Sequence, residues 1–146
     1  MALSQAAESA WKIIPQFQTI SIEETVRFYT EELGFTLGGT YPDEEDADGN
    51  PPKPTFCSIA AGHKAAANIY FFLCKPGEFH TSSTMIALGT DELDEFYGLL
   101  NERGVVRIVA QIKDEEWGYR QFAIEDNSGN KLTFFKFLEG GNPGVE

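Results

Sequence analysis

The stretch Ser21-Ile22-Glu23-Glu24-Thr25-Val26-Arg27-Phe28-Tyr29, closed by Leu33-Gly34-Phe35, sets a plan that the chain repeats as Leu93, Phe96-Tyr97 and Arg103-Gly104-Val105. Ser21 suits a helix cap, Glu24 completes a capping box, Ile22, Val26, Tyr29 and Leu33 form one apolar face, and Gly34 stops the helix. In the second copy Thr90 or Asp91 caps, Leu93, Phe96, Tyr97 and Leu100 make the face, Arg103 sits in the last turn and Gly104 ends it. Each helix follows a strand pattern, at 12–20 and 84–89, and precedes three more, at 35–41, 55–61 and 67–74, then 105–111, 118–125 and 131–138. The reading is an α+β fold of two β-α-β-β-β modules. The offset between equivalents falls from 70 (Gly34 to Gly104) to 63 (Tyr70 to Thr133), so the first half carries one extra loop. Residues 42–54, rich in proline and acids, are where it lies.

A chain of 146 residues buries about two-thirds of its surface and needs one core. We expect a single domain at 11–139, with modules at about 11–76 and 82–139, an N-terminal tail at 1–10 and a C-terminal tail at 140–146. No apolar run reaches transmembrane length and residues 1–10 lack a basic start, so the expectation is a cytoplasmic protein without membrane contact. The net charge of -12 argues against nucleic acid, whose binders cluster Lys and Arg to displace counterions. Asp43, Glu44, Glu45, Asp46 and Asp48 read first as a solvated loop and second as a cation-attracting rim. Cys57 and Cys74 fall in apolar runs and read as small buried thiols. Asp126-Asn127-Ser128-Gly129-Asn130 reads as a hairpin turn built on an Asx motif.

Strand parity separates two faces. Leu132, Phe134, Phe122 and Ile124 go under the helices. The opposite face collects Ile14, Gln16, Gln18, Phe56, Ser58, Asn68, Tyr70 and Phe72 in the first module, and Met85, Ala87, Tyr119, Gln121, Ala123, Thr133 and Phe135 in the second. Ionisable groups reach this wall only near strand ends, at Glu125 and Lys131. Aromatic faces stack and amides hydrogen-bond at modest desolvation cost, so the wall suits a flat, partly apolar ligand. It offers no central His or carboxylate for acid-base work, and no catalytic residue is assigned. Arg120 has helix-side parity and reads as a structural ion-pair member.

The strand with residues 21–29 and Leu33-Gly34-Phe35, then Met85-Ile86-Ala87-Leu88-Gly89, then Trp117-Gly118-Tyr119-Arg120-Gln121-Phe122-Ala123-Ile124-Glu125-Asp126-Asn127-Ser128-Gly129-Asn130, resemble the glyoxalase, bleomycin-resistance and extradiol-dioxygenase group, the vicinal oxygen chelate superfamily. The resemblance spans roughly residues 12–138. It implies strongly curved mixed sheets enclosing a cleft, commonly completed by a second subunit of a homodimer. Metal-dependent relatives place His, Gln or Glu at four positions, which carry over here to Ile14, Met85, Tyr70 and Thr133. A thioether, a phenol and a hydroxyl are poor ligands for hard or borderline cations, so neither metal nor other cofactor is expected. A register slip of two, with Ser83 in place of Met85, leaves that conclusion intact. His63, in a strand-to-strand turn, and His80, ahead of the fifth strand, read as surface histidines.

Trp117 resembles the tryptophan that stacks on the antibiotic in bleomycin-resistance proteins, or else it anchors the strand entry beside Arg120. The expected function is therefore a metal-free binding protein that sequesters a small planar aromatic or heteroaromatic molecule. Its contacts would be Gln16, Gln18, Phe56, Ser58, Tyr70, Phe72, Met85, Trp117, Tyr119, Gln121, Thr133 and Phe135. The alternative is a metal-independent lyase, isomerase or cyclase on the same fold, with Tyr70, Tyr119, Gln16 or Gln18 polarising a substrate and Glu125 or His80 as a distant acid-base group.

Overall fold

The computed structural model describes residues 1–140. A short helix α1 (Leu3–Glu8) leads to strand β1 (Gln16–Thr19), helix α2 (Ile22–Arg27), and strands β2 (Thr36–Tyr41), β3 (Phe56–Ala61) and β4 (Ala67–Leu73). The second module repeats this as β5 (Ser83–Ala87), α3 (Glu92–Arg103), β6 (Arg107–Asp114), β7 (Tyr119–Glu125) and β8 (Lys131–Phe137). The two sheets have the same order, β1-β4-β3-β2 and β5-β8-β7-β6, with the first pair of each parallel and the others antiparallel. The expected α+β fold of two repeated modules is what the chain adopts.

Both helices end as their glycines require: Gly34 and Gly104 take φ of 74° and 67°, left-handed values at which any Cβ is strained. The Ser21 hydroxyl accepts the Glu24 N–H at 3.2 Å, which is the forward half of the capping box. Asp91 takes the second cap position without a side-chain capping bond. After Arg27 the first helix widens into a π-turn, Phe28–Glu32, in which Leu33 N–H reaches back to the Phe28 carbonyl. The expected face survives this change. Ile22, Tyr29 and Leu33 are buried, and Thr25 joins them.

The first strand is shorter than the 12–20 pattern and starts at Gln16. Pro15 has no N–H to give the ladder, and it contributes only its carbonyl, to Tyr70 N–H. Conversely β6 extends to Asp114, past the expected 111, through two register shifts against β7. The C-terminal tail lies, from residue 141 onward, outside the described residues.

One core serves both modules. Phe17, Ile59 and Phe71 of the first sheet, and Ile86, Phe122 and Phe134 of the second, belong to a single buried cluster with Tyr29, Leu93 and Leu100 from the helical segments. A fully buried side chain of this kind contributes about 1.5–3 kcal/mol over its exposed state. Phe35 meets Phe134 edge-on, with their ring centroids 6.4 Å apart. That contact bridges the modules.

The polar seam between modules is the 126–130 turn. Asp126 Oδ1 accepts the N–H groups of Ser128 and Asn130, as an Asx turn does, while its Oδ2 accepts the Tyr29 hydroxyl at 2.7 Å. Fully buried Asn130 donates to the Gln18 carbonyl and accepts from Ser82 N–H. Thr19 and Thr25 hydroxyls meet Ser128 and Asn127. The hairpin turn read from sequence is therefore also the joint that holds the first helix and strand to the second module. Burial raises the Asp126 carboxyl above its ordinary value, and the Tyr29 hydroxyl with the Ser128 and Asn130 donors pulls it partly back.

Candidate functional site

Alternating burial settles which faces are which. In the first sheet Phe17, Thr19, Cys57, Ile59, Ile69 and Phe71 are buried, so Gln16, Gln18, Phe56, Ser58, Tyr70 and Phe72 occupy the open face. In the second, Ile86, Phe122, Ile124, Leu132 and Phe134 are buried, which leaves Met85, Tyr119, Gln121 and Phe135 opposite; Thr133 and Ala123 share that side by parity but are themselves buried. Trp117 stands at the entry to β7, half-exposed.

Register makes neighbours of these residues. Across β1, β4 and β3 run the rows Gln18-Phe72-Phe56 and Gln16-Tyr70-Ser58; across β5, β8 and β7 run Ala87-Phe135-Gln121 and Met85-Thr133-Ala123. Phe56 packs against Tyr70 edge-on at 5.0 Å and against Phe72 at 5.3 Å. Tyr119 stacks on Phe135, 5.0 Å apart and inclined by 24°, and meets Phe137 edge-on. Each face is thus a small aromatic platform bordered by amides. Phe137 was not read from sequence as part of this wall, although its parity with Phe135 and Thr133 marks it.

The pairing corrects one position. Met85 lies opposite Thr133, and Gln16, not Ile14, lies opposite Tyr70 in the matching place of the first module. Ile14 precedes the strand, because Pro15 delays the ladder. The four equivalent positions are therefore Gln16, Tyr70, Met85 and Thr133. They hold one amide, of a type that metal-dependent relatives use, and one phenol, one thioether and one hydroxyl; three of the four do not suit a divalent cation, which prefers imidazole, carboxylate or thiolate. Among the described residues, no group of three or more His, Cys, Asp or Glu is placed to hold a metal ion.

Several polar side chains on these faces are committed internally. Gln18 Oε1 accepts the backbone N–H of His80 at 3.0 Å, which pins the linker between modules across the end of β1. Ser58 Oγ donates to Asn68 Oδ1 at 3.1 Å. Gly38, at a bulge in β2, permits this: a Cβ there would come within 2.9 Å of Ser58 Oγ. Trp117 Nε1 donates to Gln121 Oε1 at 3.4 Å. Trp117 therefore borders the amide of the open face, while Arg120 clamps Asp94 of α3 at 2.9 Å and Asp114 of β6 at 3.0 Å.

The remaining sequence candidates fall elsewhere. His63 lies in the exposed β3–β4 turn and His80 is exposed on the linker. Cys57 is fully buried, and burial pushes its thiol up to about 12, which makes it an unreactive core residue; Cys74 is half-buried. Residues 42–55 have no regular structure and border a hollow of about 490 Å³ lined by Tyr41, Asp43, Glu44, Glu45 and Lys53, off the aromatic faces. Asp46 holds the loop itself through Asn50 and Asp48, and those bonds keep its carboxyl below the usual range.

Two repeated β-α-β-β-β modules, each presenting an aromatic and amide face opposite its helix, define an α+β paired-module protein with a candidate small-molecule site. The chain belongs to the Glyoxalase/Bleomycin resistance protein/Dioxygenase superfamily, whose family model matches residues 15–134. Among solved structures, TioX from Micromonospora sp. ML1 is similar with a TM-score of 0.67 at 15% identity, over 88% of this chain and 100% of that one. A glyoxalase-related enzyme from Clostridium phytofermentans gives 0.65 at 19% identity, over 88% and 95%. A glyoxalase/bleomycin resistance protein/dioxygenase from Nocardioides gives 0.62 at 21%, over 97% and 95%. These likenesses establish the fold alone. No curated protein matches the sequence. No helix of the described residues is long and apolar enough to cross a membrane.

Proposed function

We propose that this superfamily member binds and sequesters a planar aromatic or heteroaromatic small molecule without a metal, as bleomycin-resistance proteins do. The observation that carries the reading is the occupancy of the four equivalent positions, Gln16, Tyr70, Met85 and Thr133, beside the platforms Phe56-Tyr70-Phe72 and Tyr119-Phe135-Phe137. The family's chelating architecture is kept there with poor chelating groups. Stacking against such platforms is worth about 0.5–1.5 kcal/mol per ring pair beyond area burial.

The binding unit in this reading is a homodimer. Phe72, Met85 and Trp117 are 41%, 49% and 56% exposed in the single chain, large apolar groups of the candidate faces that a second copy would cover. Free thiols at Cys57 and Cys74 suit a reducing compartment such as the cytoplasm.

Fluorescence titration tests the proposal directly. With Trp11→Phe leaving Trp117 as reporter, bleomycin and a panel of planar heteroaromatics should include compounds that quench saturably at one per binding site. Flat responses across the panel would sink the reading, and catalytic turnover of a bound compound, lost in Tyr70→Phe or Tyr119→Phe, would replace sequestration with the metal-independent enzyme.

A further inference from the structure

We infer that the ligand of these faces presents hydrogen-bond acceptors, carbonyl or ether oxygens on a planar frame, in preference to donor groups or a cationic centre. The inference rests on the small-molecule reading above and specifies its chemistry. It comes from the orientation of three amides. Gln18 gives its Oε1 to the His80 backbone N–H, and a backbone N–H can only donate, so the amide's orientation is fixed. Gln121 gives its Oε1 to the Trp117 indole N–H, which likewise can only donate. Asn68 gives its Oδ1 to the Ser58 hydroxyl.

In each case the carbonyl oxygen is used inside the protein and the NH2 group remains. Gln18 stands beside Phe72 in the first sheet's row, and Gln121 beside Phe135 in the second's. Donors therefore border both aromatic platforms. Glu125, whose parity puts it on the second face, is held by Arg107 at 3.3 Å and pairs in register with Lys131, so it is a poor seat for a ligand cation. A donor buried by a ligand that lacks acceptors loses its water without replacement, and this costs on the order of tenfold or more in affinity. The chain's net charge of -12 favours a cation at long range, but that attraction is screened beyond about 8 Å at physiological salt. Local donors decide the preference.

Two three-ring compounds separate the possibilities at about 0.15 M salt. Xanthone offers only a carbonyl and a ring oxygen; 9-aminoacridine is a cation with an amino donor. The variants Gln18→Glu and Gln121→Glu each keep an oxygen for the internal donor, His80 N–H or Trp117 Nε1–H, and replace the outward NH2 with a charged acceptor oxygen. We expect xanthone to bind at least tenfold more tightly than 9-aminoacridine, and at least one Glu variant, with an unchanged urea midpoint, to weaken xanthone about tenfold while strengthening 9-aminoacridine. Tighter binding of 9-aminoacridine by the unmodified protein, or xanthone binding indifferent to both variants, would overturn the inference while leaving aromatic binding in place. Failure of both compounds to bind would overturn it together with the proposed function.

Discussion

Removing the Tyr29 hydroxyl tests how the two modules are held together. In Tyr29→Phe the ring keeps its place in the core, where Tyr29 is fully buried and packs 5.0 Å from Phe71, but Asp126 loses its 2.7 Å bond. Its carboxylate retains the Ser128 and Asn130 donors. A hydrogen bond to a charged group contributes about 1.5–3 kcal/mol, so the variant should be destabilised by that amount, or by roughly 4–10 °C in Tm for a domain of this size. The pH dependence gives the reasoning a second edge. Burial raises the folded carboxyl of Asp126 above its ordinary value, which means the native state holds that proton more tightly than the unfolded chain does. Charging Asp126 therefore costs stability above its folded value, and the cost fades as pH falls toward the ordinary value. The Tyr29 hydroxyl offsets part of the cost, so its deletion should hurt most at pH 7 and progressively less in acid. Urea unfolding of both proteins at pH 7 and about pH 4.5 reads this difference. A penalty under about 0.5 kcal/mol at pH 7, or one that does not shrink in acid, would refute the assigned role of the seam.

Other expectations follow from single residues. Lys64 holds a left-handed φ of 56° without being glycine, so Lys64→Gly should stabilise by about 0.5–1 kcal/mol, whereas Gly104→Ala, at φ 67°, should cost about 1 kcal/mol; chemical unfolding measures both. Cys57, buried and raised to about 12, should resist a thiol reagent in the native protein at pH 8 and react only on unfolding, leaving Cys74 as the faster site. Because Gln16, Tyr70, Met85 and Thr133 are a poor ligand set, chelator treatment should leave Tm unchanged within a degree, and elemental analysis should find no stoichiometric nickel, zinc or iron.

Much of the fold was legible because its signals are local. Cap, apolar stripe and terminal glycine each lie within a dozen residues, and they recur, so Gly34 and Gly104 located both helices. Strand parity sorted Phe56, Tyr70, Phe72, Tyr119 and Phe135 onto the open faces for the same reason. What was missed depends on distant partners. Ile14 was aligned with Met85 since spacing alone does not reveal that Pro15 shortens the first ladder, and the pairing of Gln16 with Tyr70 corrects it. Asp126 to Asn130 showed a turn, but not that Tyr29, Thr25 and Gln18 would meet it from the other module. Parity puts Gln18 and Gln121 on the open face but does not reveal that their oxygens serve His80 and Trp117. The Gly38-Gly39 pair inside β2 was the available signal for a bulge, and with it for the room that Ser58 uses.

The central claim is that a metal-chelating architecture here binds a flat ligand through aromatic and amide faces alone. Calorimetric titration of chelator-treated protein with a planar aromatic ligand selected by fluorescence measures it most directly. The account predicts saturable binding that added nickel, zinc or iron does not alter, and at least a tenfold loss in Phe72→Ala or Phe135→Ala. Binding that appears only on adding metal, or that ignores both substitutions, would contradict it.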